Sequence, residues 1–169
     1  LDSVRELAAT VRRRTDGLDI LINNAGGFFR EGHLTDLGIE RTFHVNHLAP
    51  YLLTAELLDH LTDDSRIVTT ASAAHQNTQL DLTRVRTVND YSGMWGYRHS
   101  KLANILFATE LADRLEALDR SIISNCIHPG AIPGSGFSRF LPNPLPRVLQ
   151  ALDQLPIVTS VTEGAAELL

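Results

Sequence analysis

Lysine is almost missing from this chain: Lys101 is the sole one in 169 residues, and the other fixed cations are arginines. Cysteine is as rare. Cys126 has no second thiol to pair with, which rules out a disulfide scaffold and makes a reducing, cytoplasmic compartment the expectation. It falls in an apolar run and reads as a small buried hydrophobe. Positive charge shows no surplus, and the formal net charge of -5 argues against nucleic acid as the main partner. The triplet Arg12-Arg13-Arg14 reads instead as the end of a helix, where cations suit the carbonyl-rich terminus. No run approaches the roughly 20 apolar residues of a membrane span, and no signal peptide opens the chain. A Gly-x-Ser-x-Gly elbow is lacking, which argues against a serine hydrolase. His44 and His47 are three apart and could share a helix face, but no acidic or thiol set completes a site, and no metal is expected.

What remains is an ordinary globular composition, 43% hydrophobic and 21% charged, in a length that suits one domain and not two. Residues 1–15 read as an amphipathic helix, with a Ser3/Glu6 capping box and an apolar stripe of Val4, Leu7, Ala8 and Val11. A strand is expected over 18–22, running into Asn23-Asn24-Ala25-Gly26. A helix over 38–61, a buried strand over 66–70 and an irregular polar connection over 73–92 follow. Residues 97–118 read as a strong helix and 122–127 as a third strand, closed by His128-Pro129-Gly130. The Pro- and Gly-rich segment 131–147 reads as a loop entering a short helix near 147–155, and Ser160 with Glu163 as the capping box of a last helix. Strands alternating with helices predict an α/β fold, a parallel sheet covered by helices on both faces. In such sheets the chemistry gathers at the carboxyl ends of the strands, where the polar clusters of this chain fall.

Tyr97-Arg98-His99-Ser100-Lys101 spaces a phenol and an ammonium four residues apart, which stacks them on one helix face. A nearby cation can lower a phenol from its usual value of about 10 by roughly 1–3 units, bringing proton transfer near neutrality within reach. Asn46 shares a 4-3-4-3-4 spacing with Ile39, Phe43, Pro50, Leu53 and Leu57, which puts an amide on an apolar stripe. A buried amide costs a few kcal/mol unless it finds partners. Pro50, four residues on, has no N–H for the carbonyl of Asn46, which leaves that carbonyl for water or a side chain. Ser72, just past the second strand, could hydrogen-bond a substrate oxygen while Tyr97 exchanges its proton. The small residues of Asn23-Asn24-Ala25-Gly26 allow close backbone approach to a ligand. Each of these has a bland reading as a turn or kink residue; it is their combination that points to a proton-relay site.

Taken together, Asn23-Asn24-Ala25-Gly26, Asn46, Ser72, Tyr97, Lys101 and Pro129-Gly130 resemble, in order and spacing, the short-chain dehydrogenase/reductase family. Val45-Asn46-His47-Leu48, the step from Ser72 to Tyr97 and the run from Tyr97 to Phe107 resemble its retinol dehydrogenase-like branch. The resemblance implies a Rossmann-like, doubly wound sheet and an NAD(P)-dependent exchange of hydride between an alcohol and a carbonyl, with a lipophilic small-molecule substrate. It implies that Tyr97 exchanges the proton, Lys101 acidifies Tyr97 and holds the nicotinamide ribose, Ser72 orients the substrate oxygen, and Asn46 holds a relay water. It places Asn23, Ala25, Gly26, Tyr97, Lys101, Pro129, Gly130 and Ile132 at the cofactor, NAD or NADP. The family's glycine-rich pyrophosphate turn and its cofactor-selecting residue are absent, so residues 1–169 read as one incomplete catalytic domain, its N-terminal part missing and its first strand left as a sheet edge. Helices 38–61 and 97–118 pack subunits in this family, which implies a homo-oligomeric parent protein. A non-catalytic Rossmann-like scaffold and a sugar-nucleotide epimerase are the competing readings; intact Ser72, Tyr97 and Lys101 disfavour the first, and the stretch around Lys101 the second.

Overall fold

The computed structural model describes residues 1–130 and 165–166. Four helices and three strands alternate along them: α1 Asp2–Arg14, β1 Leu18–Asn23, α2 Arg41–Phe43, α3 Ala49–Leu57, β2 Leu61–Thr70, α4 Gly93–Ala117 and β3 Ile123–Ile127. The strands lie in the order β1-β2-β3, all parallel, so β1 is an edge of the described sheet, as expected. No described helix is long and apolar enough to cross a membrane.

Leu21 and Ile67 point from one sheet face into a buried cluster with Ala8 of α1, Leu57 of α3 and Leu115 of α4. Ile67 and Leu57 are almost wholly buried, and such burial is worth about 1.5–3 kcal/mol per side chain. The register puts Ile20, Ile22 and Ile123 on the other face, where they are 48%, 36% and 46% exposed. The parallel α/β sheet is therefore as expected, and Val68, on the face of Ile20 and Ile22, is buried.

Element boundaries differ from the sequence reading for local physical reasons. The Ser3/Glu6 box does not form; α1 already begins at Asp2, its N-cap is Leu1 without a side-chain hydrogen bond, and Leu7 is exposed rather than buried. The expected helix over 38–61 starts only at Arg41, because Gly38 turns the chain with φ 66° and the buried carboxylate of Glu40 caps Thr42 and Phe43 N–H at 2.8 and 2.9 Å. The strand expected from 66 begins at Leu61, but its ladder is irregular until Ile20 pairs with Arg66, with Asp64 at φ 62° between. Helix α4 starts four residues before Tyr97, at Gly93, and the polar connection before it holds 3-10 turns at Ala73–His75 and Arg84–Arg86. Ile132, the loop over 131–147, the helix near 147–155 and the Ser160/Glu163 box lie outside the described residues.

Candidate active site

Between α2 and α3 the helix widens to a π turn, His44–Leu48, in which Ala49 N–H reaches back five residues to the His44 carbonyl. Pro50 sits in the first turn of α3 and offers no N–H to Asn46, so a regular helix could not have closed there in any case. The turn puts Asn46 in a fully polar setting despite its burial. Its Nδ2 donates to Gly27 O at 2.9 Å and to Ser100 Oγ at 3.0 Å, and its Oδ1 accepts from Gly27 N at 2.8 Å. The amide thus pins the loop after β1 to helix α4.

The first turns of α4 bring Tyr97 and Lys101 to the carboxyl end of β2. Lys101 Nζ donates to the Thr70 carbonyl at 2.9 Å and lies 5.6 Å from the centre of the Tyr97 ring, so phenol and ammonium do share a face. Ser72 completes the group. Its oxygen accepts the Ala74 N–H at 3.2 Å, capping the turn at Ala73–His75, and its hydroxyl hydrogen-bonds the Tyr97 phenol. Capping the turn occupies a lone pair of Ser72, which leaves its proton free to point at Tyr97.

The titration behaviour corrects one expectation. Burial raises the Tyr97 phenol above its usual 10, and the Ser72 hydrogen bond only partly offsets that. Lys101 is lowered from 10.5 to about 8 because burial penalises its charge, an effect that the adjacent Cys126 counters weakly. In the protein alone, desolvation outweighs the Ser72 hydrogen bond.

Those of the expected cofactor residues that are described lie along the same rim. Asn23, buried at the end of β1, donates Nδ2 to Thr54 Oγ1 at 2.9 Å, while its buried Oδ1 has no hydrogen-bond partner among the described residues. Ala25 and Gly26 are exposed. A Cβ on Gly26 would lie 3.1 Å from Asn46 Oδ1 and 3.9 Å from Lys101 Nζ, so glycine leaves the ammonium approachable there. Pro129 and Gly130 follow β3, with Gly130 at φ 76°, and Ala71 N–H bonds Ile127 O at 2.7 Å, joining that end of β3 to the Ser72 turn. His44 pairs with Thr35 at 3.0 Å and His47 with Asn104 at 3.1 Å.

Sequence reasoning missed four participants. Ser100 holds Asn46, and Asn104 Nδ2 shares the Thr70 carbonyl with Lys101 at 3.2 Å. Their spacing from Tyr97 and Lys101 was the available signal, since 97, 100, 101 and 104 fall on one helical face. Thr54, the partner of Asn23, and Phe28, whose ring centre is 5.9 Å from that of Tyr97, left no such pattern.

The short chain dehydrogenase family profile matches residues 1–141. Retinol dehydrogenase 14 of Mus musculus is 39% identical over 134 residues, 78% of this chain and 40% of the relative. The WW domain-containing oxidoreductase of Homo sapiens is 37% identical over 149 residues, 82% of this chain and 36% of that protein. The chain therefore spans about two fifths of the length of these curated relatives. Among solved structures, a short chain dehydrogenase from Burkholderia cenocepacia J2315 in complex with NADP superposes with TM-score 0.66 at 26% identity, covering 97% of this chain and 62% of that one. A profile match over most of the chain, on a parallel sheet whose rim gathers Asn46, Ser72, Tyr97 and Lys101, means that the chain belongs to the short chain dehydrogenase family.

Proposed function

We propose that this chain is the catalytic part of an NAD(P)-dependent oxidoreductase that interconverts a lipophilic alcohol and its carbonyl, the N-terminal cofactor-binding part being supplied by sequence upstream. The observation that carries the reading is the meeting of the Ser72 hydroxyl, the Tyr97 phenol and the Lys101 ammonium at one strand end.

The residues present fit the cofactor. An ammonium carries three N–H donors, and among the described residues Lys101 spends one of them, on the Thr70 carbonyl. That spare donor capacity suits ribose hydroxyls, beside a glycine that leaves the approach open. Asn23 Oδ1, buried and unpaired among the described residues, is a further polar atom at this end of β1. When bound, the dinucleotide supplies or takes up the hydride.

The chain's own groups handle the proton. With its pKa held up by burial, Tyr97 is a phenol at neutral pH and is poised as an acid toward a carbonyl oxygen. In the oxidative direction it must first ionise, and moving a phenol from about 10 to about 7 requires roughly 4 kcal/mol. Lys101, charged below about 8, and the Ser72 hydrogen bond both favour the phenolate. Ser72 also orients the substrate oxygen, and Asn46 keeps the loop, α4 and the relay water in register. The half-exposed Tyr51 and Leu106, on the helices expected to pair subunits, support a homo-oligomeric parent.

The test is Tyr97→Phe in the full-length protein. Turnover of alcohol with NAD(P) should fall by about 10²–10⁴-fold, with cofactor affinity retained. A rate within a few-fold of the unaltered protein removes Tyr97 from the chemistry.

A further inference from the structure

The hydroxyl of Tyr91 is tied into the site from behind. The Tyr91 hydroxyl lies 3.0 Å from Glu40 Oε1, 2.9 Å from Thr42 Oγ1 and 3.0 Å from the Phe29 carbonyl. Glu40 is fully buried, and its carboxylate also receives Thr42 N, Thr42 Oγ1 and Phe43 N at 2.8, 2.9 and 2.9 Å. Those three donors satisfy the carboxylate without help from Tyr91. A phenol has a single proton to give, and it reaches both Glu40 Oε1 and the Phe29 carbonyl at 3.0 Å; the carboxylate has three other donors, whereas Thr42 gives the carbonyl none.

The consequence falls on the loop after β1. Gly27 is held on one side by the two hydrogen bonds to Asn46, and the Phe29 carbonyl on the other by Tyr91, with the Arg41 guanidinium 4.2 Å over the Phe29 ring. Phe28, between these tethers, has its ring beside Tyr97 and against Gly93, where a Cβ would come within 3.0 Å of the Phe28 ring. Gly96, next to Tyr97, packs as closely on the clamp: a Cβ there would lie 2.9 Å from the Tyr91 hydroxyl and 3.0 Å from Glu40 Oε2.

We propose that Tyr91 is a positioning residue whose hydroxyl, seated on the Glu40 cap, tethers the Phe29 carbonyl and so sets the Phe28 ring as an apolar wall beside Tyr97. This deepens the oxidoreductase reading and rests on it. The wall favours substrates with an extended hydrocarbon part next to the reacting carbon.

The experiment uses the full-length protein with primary alcohols from butanol to decanol, and adds hydrogen exchange over residues 24–30 without cofactor and thermal midpoints. Tyr91→Phe keeps the ring and the Glu40 cap while removing the tether. It should raise KM for decanol roughly ten-fold and for butanol much less, lower kcat by less than KM rises, and speed exchange over 27–30. Phe28→Ala should reproduce the rise in KM for decanol. A Tyr91→Phe protein that only melts a few degrees lower, with KM and exchange unchanged, overturns the tether. If the unaltered protein turns over alcohols and Tyr97→Phe does not, that result strikes the tether alone. If the unaltered protein turns over none, the oxidoreductase reading falls, and the tether with it.

Discussion

Lys101 shows how a side chain that the proposed chemistry needs can be costly for stability. Its ammonium is buried against the Thr70 carbonyl, and its pKa falls from 10.5 to about 8. Between those values the unfolded chain binds the extra proton and the folded one does not, so stability rises with pH across that window and the buried charge costs most below it. At neutral pH the penalty is about 3 kcal/mol, at or above the roughly 1.5–3 kcal/mol of a hydrogen bond from a charged donor. Lys101→Met should therefore raise the thermal midpoint at pH 7, lose the advantage by about pH 10, and abolish turnover. The Thr70 carbonyl keeps Asn104 as a donor, so the variant leaves no orphan there. A midpoint that drops at pH 7 would contradict the account. Tyr97 follows the same desolvation logic with the opposite sign, since burial keeps an acid neutral as readily as it discharges a base.

At the scale of elements, the π turn at His44–Leu48 is the joint on which the site depends. It lets one amide serve Gly27 N, Gly27 O and Ser100 Oγ, linking the β1 loop to α4. Asn46→Leu fits the apolar stripe but strands both Gly27 backbone groups, each costing about 1–3 kcal/mol when buried without a partner. The expected loss is about 3 kcal/mol, read as a lower urea midpoint with an unchanged slope, together with faster exchange at the Gly27 amide. A variant as stable as the parent would show that the loop is held by other means. Glu40 plays the matching part at the start of α2, where a buried carboxylate at a helix N-terminus receives two backbone donors and two hydroxyls.

For the whole molecule, α1, α3 and α4 meet the sheet through Leu21 and Ile67, while on the other face Ile20, Ile22 and Ile123 are substantially exposed and Val68 is buried. The site groups all sit at one rim, while no glycine-rich pyrophosphate turn is present in the sequence. Since much of a dinucleotide's binding comes from such a turn at a helix end, calorimetry on the 169-residue chain should find NADP binding weaker than about 100 μM. Micromolar affinity would mean that the rim residues alone suffice.

Local chemistry was legible along the chain. Tyr97 and Lys101 share a face because a helix repeats every 3.6 residues, and Ser72 and Asn23 sit at strand ends because apolar runs stop there. The same reasoning found the three parallel strands and the amide on the apolar stripe. Three-dimensional packing decided what those groups experience. The phenol rose rather than fell, because burial is set by neighbours distant in sequence. The helix expected over 38–61 broke into a capped start and a π turn, because Glu40 found Tyr91 and Asn46 found Gly27 across 51 and 19 residues. Periodicity reads contacts along one helix or strand; desolvation and long-range hydrogen bonds depend on which surfaces meet, and only the assembled chain determines that.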